Sequence, residues 1–417
     1  MPIAQSIKNA LFSSSLIRKM FEEGIQLKKQ HGADKVFDFS LGNPDVDPPQ
    51  AFHDVFIKLA QEDEKGSHGY MPNAGYPFVR EKLAKKVSKE QNVNIDGSHI
   101  IMTAGAAGGL NTVFKATCNP GDEIIVTRPF FMEYRAYAAN AGAKLVEVDA
   151  LEDFNLDLDA ISAALSEKTS AVLINSPNNP TGKIYPESVL ASLSSILADR
   201  GKKTGRFPYL VSDEPYREIA YSSDVPPVLS CYNESIVVSS YSKSLSLPGE
   251  RIGYIAVSPD ISEKDDLVNG LIYCARVLGF VNAPALMQRV VAALTDESVD
   301  VSIYTRRRDA FMKVLDEAGI EYAVPEGAFY LFCKTPEKRK MRNEKIENGT
   351  ESQEQRTAGN AFTADDRAFV EHLKKYYILG VPGSSFGKPG WLRFAYCVDE
   401  KIINNSCQSF KTAMESW

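Results

Sequence analysis

The segment Ser240-Tyr241-Ser242-Lys243-Ser244-Leu245-Ser246-Leu247-Pro248-Gly249-Glu250-Arg251-Ile252-Gly253 decides how this chain is read. Ahead of it, Ser235-Ile236-Val237-Val238-Ser239 is a β-branched run that predicts a buried strand. Lys243 therefore stands just beyond a strand end, among hydroxyls and before a Pro-Gly turn. There its amine can form a Schiff base with a carbonyl, provided burial or a nearby cation lowers its pKa. Ser240, Ser242 and Arg251 suit a phosphate group, the serines by hydrogen bonds and the arginine by charge-assisted ones. An aldehyde and a phosphate on one small molecule describe pyridoxal phosphate. A lone lysine at a strand end is most often a solvated side chain, so the reading turns on the rest of the cofactor's surroundings.

Those surroundings are encoded upstream. Pyridoxal phosphate acts as an electron sink, deepest when an acid keeps its ring nitrogen protonated. In Pro208-Tyr209-Leu210-Val211-Ser212-Asp213-Glu214-Pro215-Tyr216 an apolar strand runs into an acid. Asp213 is thereby placed at a strand's carboxyl end, where open α/β sheets bind ligands; an acid opening a turn is the plainer alternative. Tyr216 is placed to donate its hydroxyl to the cofactor's 3′-oxygen. Earlier still, Ala171-Val172-Leu173-Ile174-Asn175-Ser176-Pro177-Asn178-Asn179-Pro180-Thr181-Gly182 is a buried strand breaking into a rigid turn. That turn can hold the Asn179 amide against the same oxygen, or serve as a turn alone.

Three motifs in register carry a resemblance. Asn-x-Pro-x-Asn-Pro-Thr-Gly at 175–182, Asp-x-x-Tyr at Asp213 and Tyr216, and Ser-x-Ser-Lys…Gly-x-Arg-x-Gly at 240–253 resemble the class I/II aminotransferases of the fold-type I pyridoxal-phosphate superfamily. The resemblance covers nearly the whole chain. It implies an α/β fold, with a seven-stranded, mostly parallel sheet sandwiched by helices and a smaller α+β domain. It also implies an enzyme that moves an amino group between an L-amino acid and a 2-oxo acid, with a lyase or decarboxylase on the same fold as the alternative. Lys243, Asp213 and Tyr216 would be the catalytic residues. In Thr103-Ala104-Gly105-Ala106-Ala107-Gly108-Gly109-Leu110, a helix start after a strand, backbone N–H groups of Gly105, Ala106 and Ala107 would hold the phosphate. The family often has a polar side chain at Ala106 or Ala107, so here backbone donors carry more of that task. The glycine spacing is wrong for a dinucleotide fingerprint, and no Gly-Lys-Ser/Thr follows.

Other positions follow from the same resemblance. Phe131 would stack on the cofactor, and Tyr70 would reach the phosphate in a neighbouring subunit, which implies a homodimer. The Gly42 backbone, Asn179 and Arg393, the last in Trp391-Leu392-Arg393-Phe394-Ala395, would bind substrate, with the guanidinium clamping the α-carboxylate. Arg276 lies among mostly apolar neighbours, 33 residues after Lys243. Its expected partner is a side-chain carboxylate of an aspartate- or glutamate-like substrate, a protein acid, or solvent.

Composition bounds the rest. The chain has 417 residues, 44% hydrophobic and 24% charged, with a net charge of −7. That is an ordinary balance for a globular protein of two lobes, with no basic run that would favour nucleic acid. No apolar stretch approaches the roughly 20 residues that span a membrane. The N-terminus lacks a secretory pattern and the six cysteines are scattered, so a cytoplasmic protein without disulfides is expected. The five histidines show no metal-ligand spacing, and no metal is expected.

Strands are predicted at 99–102, 123–127, 144–148, 171–175, 209–212, 236–239 and 252–257, alternating with helical stretches. The expected domains are 1–48, an N-terminal helix and segment joining the small domain; 49–292, the large cofactor domain; and 293–417, the small domain. A polar excursion near 335–360, including Arg339-Lys340-Met341-Arg342-Asn343-Glu344-Lys345, is read as a solvated surface loop.

Overall fold

All seven predicted strands form, each within two residues of its expected bounds. They are β1 (Ile100–Thr103), β2 (Glu123–Arg128), β3 (Lys144–Asp149), β4 (Thr169–Asn175), β5 (Tyr209–Asp213), β6 (Ser235–Ser240) and β7 (Gly253–Val257). In this computed structural model they make one sheet in the order β1-β7-β6-β5-β4-β2-β3. Only β7 runs against its neighbours β1 and β6; the other pairings are parallel. The structure describes residues 3–62, 64–221, 224–338 and 365–417. Most of the 335–360 excursion, with its basic run, lies outside them.

The strands are apolar on both faces because both are covered. Side chains alternate across a strand, and Ile100, Met102, Val172, Ile174 and Val237 join one buried cluster. Their neighbours Ile101, Ala171, Leu173, Ile236 and Val238 join the other. Helices cover both clusters, Pro77–Gln91 and Glu187–Thr204 on the first, Gly105–Thr117 and Lys264–Val277 on the second. Parallel sheets need this two-sided cover, which is why the strands lack an apolar–polar alternation.

The chain divides into two compact units. Gly42–Arg306 and Val324–Tyr330 form the unit just described. Met1–Leu41, Arg307–Ala323 and Leu331–Trp417 form the other. The crossings at 41/42 and 306/307 compare with sequence-based boundaries at 48/49 and 292/293. A short stretch, 324–330, also belongs with the sheet unit although its chain neighbours do not. It is tied there by Glu326 and Gly327 N–H groups donating to the Gly182 carbonyl at 3.0 and 2.9 Å. A four-stranded sheet, in the second unit but for its residue Tyr330, has the order Val381–Pro382, Trp391–Ala395, Tyr330–Lys334, Tyr322–Ala323. Its core includes Phe39, Phe311, Phe394 and Phe410, with ring centroids 4.4 to 6.2 Å apart. The helix Gln5–His31, at the N-terminus where one was expected, belongs to this unit.

Candidate active site

Register brings the chemistry-bearing loops to one edge of the sheet. β4 ends at Asn175 and β5 at Asp213, which are paired partners, and Asp213 pairs in turn with Val238 of β6. Because β7 is reversed, its first residue, Gly253, pairs with the last residues of both β1 and β6, Thr103 and Ser240. Gly105, Asn179, Asp213, Tyr216, Ser240, Ser242, Lys243 and Arg251 therefore all leave from this edge, the carboxyl ends of the parallel strands.

Asp213 is the most informative group there. Its Oδ2 accepts a 2.6 Å hydrogen bond from the Tyr134 hydroxyl. Its Oδ1 is buried and has no hydrogen-bond partner among the described residues. Burial pushes this carboxyl up to about 7; the Tyr134 bond opposes the rise and the neighbouring Glu214 carboxylate adds to it. Burial, together with the Asp213 carboxylate, likewise raises the Tyr134 hydroxyl well above its ordinary value, so Tyr134 remains a donor. Asn175 fixes the surrounding backbone: its Nδ2 donates to the Asp213 carbonyl at 2.8 Å, and its Oδ1 accepts from the Asn179 N–H at 2.7 Å. Two loops are thus braced against each other by one side chain.

Lys243 lies in a single helical turn, Tyr241–Ser244, directly after β6. Its Nζ donates to the Gly42 carbonyl at 2.7 Å and lies 5.3 Å from the Phe329 ring centroid. Tyr216 is buried, its hydroxyl 2.8 Å from that of Tyr330. Gly42 approaches Tyr330 so closely that any Cβ there would overlap the Tyr330 hydroxyl. Glycine at 42 is thus required by proximity.

The helix Gly105–Thr117 opens with Ala104 as its cap residue, and no side chain bonds its first N–H groups. Those donors, at Gly105, Ala106 and Ala107, are left for an anion. Gly105 has φ +76°, and a Cβ on it would stand 2.8 Å from Arg251 Nη2. The guanidinium thus lies against the helix start, steadied by Arg251 Nη1 donating to the Pro248 carbonyl at 2.8 Å. Ser240 and Ser242 are buried.

The remaining predicted residues are placed as follows. Phe131 is half-buried, edge-on to Tyr134 with centroids 5.6 Å apart. Tyr70 is 98% exposed within the chain. Arg276 is also exposed, on the helix Lys264–Val277, with its guanidinium 5.5 Å from the Tyr273 ring. The apolar neighbours of Arg276 in sequence therefore do not bury it. In the other unit, Arg393 is buried, donating from Nη2 to the Ser40 carbonyl at 2.7 Å and lying 4.9 Å from the Phe386 ring centroid. Tyr134, Asn175 and Tyr330 were given no role from sequence. Asn175 opens the 175–182 motif, and Tyr330 left a signal of its own: a tyrosine in a buried strand needs a partner for its hydroxyl. Among the described residues no group of three or more His, Cys, Asp or Glu is arranged to hold a metal ion. No helix among them is long and apolar enough to cross a membrane.

Comparison with known proteins gives the same answer across the chain. A family model for aminotransferase class I and II matches residues 34–410. Over 393 residues the chain is 30% identical to a probable aspartate/prephenate aminotransferase of Aquifex aeolicus, 91% of each protein being covered. It is 28% identical over 400 residues to the aspartate/prephenate aminotransferase of Thermus thermophilus, covering 93% of each. The crystal structure of an amino transferase from Eubacterium rectale matches with a TM-score of 0.90 and 34% identity, over 100% of this chain and 99% of that one. The family match includes the loops bearing Asn179, Asp213, Lys243 and Arg393, and with them the chain belongs to the class I and II aminotransferases, enzymes that depend on pyridoxal phosphate.

Proposed function

We propose that the enzyme uses aspartate as an amino donor, with Lys243 as its covalent and proton-transferring residue and Asp213 as the partner of the cofactor's ring nitrogen. The carrying observation is the buried Asp213 carboxyl, one oxygen satisfied by Tyr134 and the other lacking a donor. A protonated ring nitrogen supplies both the missing donor and the positive charge that favours the ionised carboxylate. The donors at the start of the helix Gly105–Thr117, with Ser240, Ser242 and Arg251, match a phosphate in the same way. When bound, pyridoxal phosphate supplies the electron sink for charge developing at the substrate Cα.

The chain's own residues do the rest. Lys243 Nζ would hold the cofactor aldehyde covalently and, when free as a neutral amine, would be the base that takes the substrate Cα proton and the acid that returns it. Tyr216 would donate its hydroxyl to the cofactor's 3′-oxygen, and the Asn179 amide would hold the same atom. Phe131 packs on the ring. Arg393 binds the α-carboxylate, and the Gly42 backbone borders it. Aspartate as donor is supported by the names of the relatives. The protein acts as a cytoplasmic homodimer; the exposed Tyr70 and Arg276 support the pairing, and six cysteines outside any disulfide suit a reducing compartment. Tyr70 then serves the partner's phosphate and Arg276 the side-chain carboxylate of the partner's substrate.

Mixing the holoenzyme with aspartate, glutamate and alanine in turn tests this reading. Loss of the bound cofactor's visible band, with 2-oxo acid formed fastest from aspartate, is expected. No 2-oxo acid from any of them would refute it. Lys243→Ala should still bind cofactor, yet turn over at least about 10²–10⁴-fold more slowly. Borohydride should fix the cofactor to the Lys243 peptide of the unaltered enzyme.

A further inference from the structure

The reaction outlined above gives the buried Tyr330 hydroxyl no task. It lies 2.8 Å from the Tyr216 hydroxyl, and both side chains are buried. Their rings are edge-on with centroids 5.7 Å apart, and Phe329 meets Tyr216 edge-on from its own position at 5.4 Å. The same Tyr330 hydroxyl presses on Gly42, whose carbonyl accepts the Lys243 bond. A glycine is therefore needed where this hydroxyl sits.

Of two phenols bonded to each other, one donates and the other accepts. With the Tyr216 proton directed to the cofactor's 3′-oxygen, the Tyr216 oxygen becomes the acceptor and Tyr330 the donor. A donor to that oxygen polarises the Tyr216 O–H and makes it a stronger donor in its turn. A stronger donor favours the anionic form of the oxygen it serves, and so lowers the pH at which that form appears. We propose that Tyr330 is a positioning residue: its hydroxyl orients and polarises that of Tyr216, and through it sets the pH at which the bound cofactor titrates. This rests on the assignment of Tyr216 to the 3′-oxygen.

The test is a pH titration of the bound cofactor's visible absorbance in holoenzyme carrying Tyr216→Phe, Tyr330→Phe or both. Tyr216→Phe should move the midpoint upward. Tyr330→Phe should move it the same way by less, on the order of half a pH unit. The double variant should shift no further than Tyr216→Phe alone, because Tyr330 acts through Tyr216. A midpoint unmoved by Tyr330→Phe but moved by Tyr216→Phe overturns the proposal and leaves the Tyr216 assignment standing. A midpoint unmoved by Tyr216→Phe overturns both. A packing role alone would lower the melting temperature of Tyr330→Phe without moving the midpoint.

Discussion

Asp213 ends β5 with its carboxyl shut away from water, and burial alone makes ionisation there costly. Its folded value of about 7 compares with an ordinary 3.8, so the folded protein holds this proton more tightly than the unfolded chain does. The resulting stabilisation of cofactor-free protein is fully present below about 4, declines as pH rises, and is gone once pH passes about 7. Its size is on the order of a few kcal/mol. Asp213→Asn has no ionised form to bury. Urea unfolding of the cofactor-free proteins should therefore show the wild type losing more stability than the variant between pH 4 and pH 8. The same variant should lose kcat as well as kcat/KM in the holoenzyme, since on the proposed assignment the ring nitrogen would lack its anionic partner during the chemistry. Near-normal kcat would reduce Asp213 to a turn residue.

At the scale of an element, the helix Gly105–Thr117 shows how a backbone becomes a binding group. Its first N–H groups are uncapped, and Gly105 enters it at φ +76°, a conformation that disfavours any side chain. Gly105→Ala meets a conformational cost of about 1–2 kcal/mol. Its Cβ also meets Arg251 Nη2 at 2.8 Å, and the guanidinium must move away from the helix start. Cofactor affinity, followed by absorbance titration, should fall about tenfold for a penalty of that order. Unchanged affinity with a lowered melting temperature would make Gly105 a structural glycine only.

At the scale of the molecule, the proposed homodimer assigns the exposed Tyr70 ring to the partner's site. Two-fold homodimers are the commonest assemblies. Tyr70→Ala and Lys243→Ala, each impaired alone, should complement when mixed and allowed to exchange subunits. Each hybrid then holds one intact site, giving about a quarter of wild-type activity for random exchange. Absence of recovery despite hybrids visible by native mass measurement would place Tyr70 in its own subunit's site or outside any site.

Much of this was legible in the sequence because the signals are local. The β-branched runs fix strand positions, since a strand buried on both faces must be apolar throughout, and all seven strands appear where those runs lie. The loop motifs around Asn179, Asp213, Lys243 and Arg251 are short and ordered, so their residue chemistry and the resemblance they carry implied a shared ligand. Tertiary structure decided what depends on residues distant along the chain. The Tyr134 bond to Asp213, the Tyr330 hydroxyl beside Tyr216 and the Gly42 carbonyl accepting from Lys243 span 79, 114 and 201 positions. No local pattern encodes such pairs. Arg276 shows the converse: its apolar neighbours in sequence left open a substrate carboxylate, a protein acid or solvent, and because a helix turns successive residues to different faces, its exposure was decided by the fold. Propensity and periodicity determine which segments form and where they end; register and packing determine which side chains meet, and that meeting sets the charge state of Asp213.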